Sequence, residues 1–234
     1  MRYNIISTGS QGNAVVLNDC VLIDCGVSFK ALKEVYKNLK LVLLTHEHGD
    51  HFKPQTIKRL AQERPTLRFG CCEWLVKALL NAGVDKKNID VYKIGRIYDY
   101  GAFKVSPIKL YHDVPNAGYR LFLGAEKAIY ATDTGHLRGI TAKDYSLYLI
   151  EANYDEDDLE QRIIEKPAAG QYCYELNVAE RHLSHEQASE WLMQNMGKHS
   201  NYVFLHGHKD REKPKEWEYA DTYNVSLCYQ KELI

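Results

Sequence analysis

Hydrophobic residues fall along this chain mostly in short runs cut by turn-forming residues. The apolar stretches at 3–6, Ala14–Leu17 and Val21–Ile23 are parted by Gly9-Ser10-Gln11-Gly12-Asn13 and by Asn18-Asp19. That is turn chemistry, and it predicts an antiparallel meander. Leu41–Leu44 is apolar throughout and reads as a short buried strand. Residues 29–39 have helical spacing, Pro54–Glu63 reads as a helix with proline in its first turn, and 73–81 as a helix stopped by Gly83. Strands are expected at 66–69, 89–94, 97–100 and 103–111, with a hairpin at Asp99-Tyr100-Gly101. In the second half, 119–123 and 128–131 predict a hairpin across Gly124-Ala125-Glu126, and 145–150 another buried run. The acidic stretch 155–160 suits a helix start, where carboxylates complement the dipole. Ser184 and Gln187 form a capping-box pattern for a helix through Met196, and strands are expected at 202–205 and 224–229. Without a linker, a low-complexity segment or a clear repeat, the length fits a single domain, 1–234.

The polar residues that end these runs carry the chemistry. Six apolar runs lead into groups able to bind or orient a metal: Asp24, His46 after Thr45, His112 with Asp113, Asp133 after Thr132, Glu151 and His206. The densest stretch is Thr45-His46-Glu47-His48-Gly49-Asp50-His51. A loop following a buried strand can aim His46 and His48 at one point, and Asp50 and His51 at a second nearby. Imidazole and carboxylate donors of this mix suit zinc, and also manganese or iron. Strands with neighbouring ends would bring all six tips to one crevice.

Composition narrows the picture. A net charge of -1 gives no bulk attraction to nucleic acid, so such binding needs a local basic patch. Lys209, Arg211, Lys213 and Lys215 are interleaved with Asp210, Glu212 and Glu216, which reads as a solvated loop. Six cysteines show no CxxC spacing, and Cys71-Cys72 reads as a buried helix start. No signal peptide precedes the first strand, and no apolar span is long enough for a membrane, so a reduced, cytoplasmic protein is expected.

Taken with its order along the chain, this residue set resembles the metallo-β-lactamase superfamily. The HxHxDH pattern stands as His46, His48, Asp50 and His51, and the later ligand positions match His112, Asp133 and His206. The resemblance implies an α/β fold, a four-layer αββα sandwich, with two divalent metal ions, zinc or manganese. It implies that His46, His48 and His112 hold one metal, that Asp50, His51 and His206 hold the other, and that Asp133 bridges. Asp24 would orient a ligand histidine or the metal-bound water. His208 is the alternative to His206, which is preferred because it directly follows its strand.

The motifs Gly9-Ser10-Gln11-Gly12-Asn13, Leu22-Ile23-Asp24-Cys25-Gly26, His112-Asp113-Val114-Pro115, Glu151-Ala152-Asn153-Tyr154 and His182-Leu183-Ser184 are similar to those of small bacterial and phage members related to ribonuclease Z and to DNA exonucleases. That branch implies a phosphodiesterase or nuclease acting on DNA or RNA. A hydroxide bridging the metals would attack phosphorus while His182, in the H-x-S element, protonates the leaving group. Ser184 would cap a helix whose free N–H groups favour a phosphate beside His182. His185 and His208 compete for the proton-donor role. The residues also fit a same-fold hydrolase of a lactam, thioester or lactone, or a non-catalytic metal-binding module. Unlike ribonuclease Z, the chain shows no insertion long enough for a protruding RNA-gripping arm.

Overall fold

The structure is a computed structural model that describes residues 1–168, 173, 175–207 and 222–224. The chain divides into two compact units, Met1–Lys109 with Val114–Ala117, and Leu110–Asp113 with the residues from Gly118 on.

In the first unit, β1 (Tyr3–Ser7), β2 (Ala14–Leu17) and β3 (Val21–Ile23) form the expected antiparallel meander. Strands β4 (Leu41–Leu44), β5 (Arg68–Cys72) and β6 (Ile89–Tyr92) then add in parallel, giving a six-stranded sheet in the order β1 to β6. All four residues of β4 are fully buried, as an uninterrupted apolar run in a parallel strand requires. Helix α1 (Pro54–Glu63) starts with proline, which has no N–H to lose there, and buries Ile57 and Leu60 in the core with Leu22, Val42, Leu44 and Phe69. Helix α2 (Val76–Asn81) follows a 3-10 turn at Glu73–Leu75. Cys71 and Cys72 end strand β5 and do not start the helix; a 3-10 turn begins at Glu73, where the helix was expected, and α2 three residues on at Val76.

Residues 29–39 are not an α-helix. They form a 3-10 turn at Phe29–Leu32 and a chain of turns after it, with Val35 N–H donating to Leu32 O and Asn38 N–H to Val35 O. Arg64 ties down the end of the segment: its guanidinium donates to the Tyr36, Lys37 and Leu39 carbonyls, which a helix ending there would itself leave without partners. The helical spacing still buries Leu32 and Leu39.

The short β7 (Tyr98–Asp99) pairs antiparallel with β8 (Lys104–Tyr111). Strand β9 (Pro115–Leu123) turns back through β10 (Glu126–Ala131); β11 (Leu147–Glu151) and β12 (Asn201–Leu205) follow in parallel, and β13 (Thr222–Asn224) pairs antiparallel with β12. The sheet order is β13-β12-β11-β10-β9-β8-β7. The expected last strand at 224–229 lies, beyond Asn224, outside the described residues. Between β11 and β12 run α3 (Glu156–Ala168), α4 (Glu175–Arg181) and α5 (His185–Asn195). Helix α5 carries the expected reciprocal capping box between Ser184 and Gln187. Helix α4 has no such signature in sequence; buried Glu175 at its start pairs with Lys166 of α3.

One glycine fixes how the ligand-rich loop sits. Gly26 N–H donates to Asn13 O, Asn13 N–H donates to Asp50 O, and a Cβ built on Gly26 would lie 1.6 Å from that same Asp50 oxygen. We expect Gly26→Ala to destabilise the metal-free protein by about 1–3 kcal/mol in urea unfolding. Gly49→Ala, whose Cβ meets nothing within 4 Å, should stay within about 0.5 kcal/mol. Equal unfolding midpoints for the two would contradict the close contact.

Candidate metal centre

The loop after β4 is built around a buried carboxylate. Asp24 follows β3 with a left-handed backbone (φ 61) and is fully buried, its N–H donating to Leu43 O. Its Oδ1 accepts from Thr45 N at 3.0 Å and Thr45 Oγ1 at 2.9 Å, and its Oδ2 lies 2.7 Å from His51 Nδ1. Burying an ionised carboxylate is tolerable only when it is paired this thoroughly.

These bonds set the tautomers of two histidines. His51 Nδ1 carries the proton it gives to Asp24, so Nε2 keeps its lone pair. The Thr45 hydroxyl has one hydrogen, directed at Asp24, so at 2.9 Å it accepts from His46 Nδ1. His46 Nε2 then carries the lone pair and stands 3.2 Å from His48 Nδ1. His46 and His51 are both fully buried, while His48 is half-buried. Asp50 Oδ2 lies 3.6 Å from His51 Nε2. His46, His48, His51 and Asp50 are donor types that suit divalent cations, and the neighbours of His46 and His51 direct their lone pairs.

The second unit holds a comparable group. His112 Nδ1 donates to Arg181 O at 3.2 Å, leaving Nε2, which lies 3.2 Å from Asp113 Oδ1 and 3.9 Å from Asp133 Oδ1. Asp133 follows β10 with φ 57, and its Oδ1 is also 3.4 Å from His206 Nε2 and 3.9 Å from His182 Nδ1. His206 follows β12, again left-handed at φ 57, and its backbone oxygen accepts from Asn153 Nδ2 at 2.7 Å. Non-glycine residues in this conformation carry strain that surrounding contacts must hold. Asp24, Asp133 and His206 all adopt it just past a strand.

Glu151, the last residue of β11, is fully buried. Its Oε1 lies 2.6 Å from His182 Nδ1 and 3.3 Å from His206 Nδ1, and its Oε2 accepts from Thr134 N and Leu183 N. Burial works against its charge, but the bonds from His182 and His206 prevail and hold its carboxyl below the usual carboxylate range. For His182 burial favours the neutral ring, yet the Glu151 carboxylate outweighs it and raises the imidazole above its ordinary value. For His112 burial dominates and lowers it. Asp133, Glu151, His182 and His206 offer donor atoms all within 4.8 Å of one another, a second set that fits a divalent cation.

The sequence marked Glu151 as a strand-end group able to bind or orient a metal and as part of a motif, without its partners, and gave Thr45 no role of its own. The signal for Glu151 was a glutamate closing the apolar run Leu147-Tyr148-Leu149-Ile150. His185 packs edge-on to Phe204 instead of joining the Glu151 group. His208 and the basic stretch 209–215 lie outside the described residues. The idea that the start of α5 offers free N–H groups to a phosphate is corrected. Gln187 N–H donates to Ser184 Oγ at 2.9 Å, Ser184 Oγ donates to Glu156 Oε1 at 2.7 Å, and Glu186 adds a carboxylate in the first turn. Two carboxylates there repel an anion. Three buried thiols are poor soft ligands: burial pushes Cys71 and Cys72 up to about 12 and Cys25 higher still.

Comparison with known proteins places this geometry. An exodeoxyribonuclease, YycJ of Bacillus anthracis, is 24% identical over 178 residues, 68% of this chain and 65% of that protein, slightly under two thirds of its length. The crystal structure of YhfI, a metallo-β-lactamase fold protein of Bacillus subtilis, superposes with a TM-score of 0.68 at 16% identity, covering 89% of this chain and 86% of the other. The short form of human tRNase Z gives a TM-score of 0.64 at 16% identity, covering 89% and 93%. These superpositions show the metallo-β-lactamase fold, the α/β class expected from the sequence. The model of the β-lactamase superfamily domain matches residues 20–206, and the chain belongs to that family.

Proposed function

We propose that this chain is a divalent-metal-dependent phosphodiesterase, a nuclease acting on DNA or RNA, working as a single metallo-β-lactamase-like domain over 1–234. In this reading His46, His48 and His112 hold one cation, Asp50, His51 and His206 hold the other, and Asp133 serves both. Bound zinc or manganese would supply acidification of water and neutralisation of charge on the phosphoryl group. Asp24, directly and through Thr45, keeps His51 and His46 in the tautomers that present Nε2.

The observation that carries the reading is the 2.6 Å bond between His182 Nδ1 and the buried Glu151 Oε1. It fixes the ring, favours the protonated imidazole and leaves Nε2–H available to a departing oxygen. Cleavage of the P–O bond leaves an alkoxide, a poor leaving group that needs that proton. An activated lactone or thioester expels its leaving group with less help, so an acid held this firmly favours the phosphodiester. The names of two similar proteins, an exodeoxyribonuclease and a tRNase Z, point the same way.

The direct test is purified protein with manganese or zinc on end-labelled single- and double-stranded DNA and RNA, beside a panel of chromogenic esters and lactams. Nucleotide products are expected, and their lengths report the mode of cutting; turnover of the ester or lactam panel alone would overturn the proposal. His48→Ala and Asp133→Ala should abolish turnover and reduce metal content measured by elemental analysis. His182→Ala should lower kcat by roughly 10²- to 10⁴-fold with metal content unchanged, and Glu151→Gln should follow it in kcat more than in KM. Loss of metal from His182→Ala would contradict the role of proton donor.

A further inference from the structure

Asn13, from the glycine-rich turn between β1 and β2, reaches the ligand loop of its own unit and is almost wholly buried. Its Oδ1 accepts from Gly9 N–H at 2.9 Å. A backbone N–H can only donate, so this bond fixes which end of the amide is oxygen and turns Nδ2 toward the loop. There Nδ2 lies 2.8 Å from His51 Nε2, 3.3 Å from Asp50 O and 3.4 Å from Asp50 Oδ2, with Gly9 O behind it at 3.2 Å. His51 Nδ1 gives its proton to Asp24, so Nε2 accepts from Asn13. The amide hydrogen therefore occupies the lone pair that His51 would offer to a cation.

We propose that Asn13 is a positioning residue for the cation held by Asp50 and His51. In the metal-free chain it satisfies the buried His51 nitrogen; when a cation takes that lone pair, the N–H passes to the Asp50 carboxylate oxygen beside it and steadies that ligand. The geometry allows the exchange without moving the backbone, because Nδ2 already stands within 3.4 Å of both acceptors. A buried N–H must keep an acceptor, and the Asp50 carboxylate oxygen beside it is there to take the bond that His51 gives up. The inference rests on the two-cation reading above.

The test titrates metal-free protein with Zn²⁺ alone against a chromophoric chelator, comparing wild type with Asn13→Ala. Wild type should bind two ions, and the variant should lose roughly 10- to 100-fold in affinity for one of them while the other is unchanged. Asn13 also bonds the turn around it, so the second measurement uses wild type: the Asn13 side-chain amide and His51 imidazole nitrogen resonances, followed by NMR through the titration. Both should move together at the step that loads the weakened site. If wild type binds two ions while Asn13→Ala matches it at both and the amide resonance stays still, the role of Asn13 is overturned and the two-cation reading stands. If wild type binds no ion, both fall.

Discussion

The buried Asp24 carboxylate is the constraint on which the first unit's chemistry depends. A charge at zero exposure must be met by donors, and the chain supplies a backbone N–H, a hydroxyl and an imidazole N–H. Meeting that demand brings Thr45 and His51 to one carboxylate and leaves the loop little freedom. The same bonds decide which nitrogen of each ring remains basic. Electrostatic necessity in the core is thereby converted into the direction of lone pairs at the surface of the site.

Glu151 does the equivalent work in the second unit. It too closes an apolar strand, is wholly buried, and divides its oxygens between imidazoles and backbone N–H groups. The two acids differ in what they prepare. Asp24 turns two rings so that Nε2 presents its lone pair, whereas Glu151 favours a protonated His182. One device, a buried acid at the end of a strand, presents a lone pair in one place and a proton in another.

Much of this was legible in the chain, for identifiable reasons. Leu41–Leu44 and Val21–Ile23 appear at the bounds their apolar runs predict, because uninterrupted hydrophobic residues leave few ways to be buried. The ligand-rich loop announces itself by composition. What stayed hidden depends on partners distant in sequence. Residues 29–39 have helical spacing but fold as successive turns, and nothing local shows that Arg64 holds their end. The cap of α5 reads correctly from Ser184 and Gln187, yet nothing local shows that Glu156 closes the same terminus. Thr45 looks like an ordinary loop hydroxyl until Asp24 and His46 are seen on either side of it.

The protonated thiols have a consequence for what the protein carries. Cys25, Cys71 and Cys72 sit in the apolar interior, where burial holds the hydrogen on sulfur. Donors confined to nitrogen and oxygen confer none of the thiophilic bias that would single out cuprous ion or cadmium. Choice among the harder divalent ions then passes to which of them is at hand. The identity of the bound ion becomes a record of the surroundings in which the polypeptide matured.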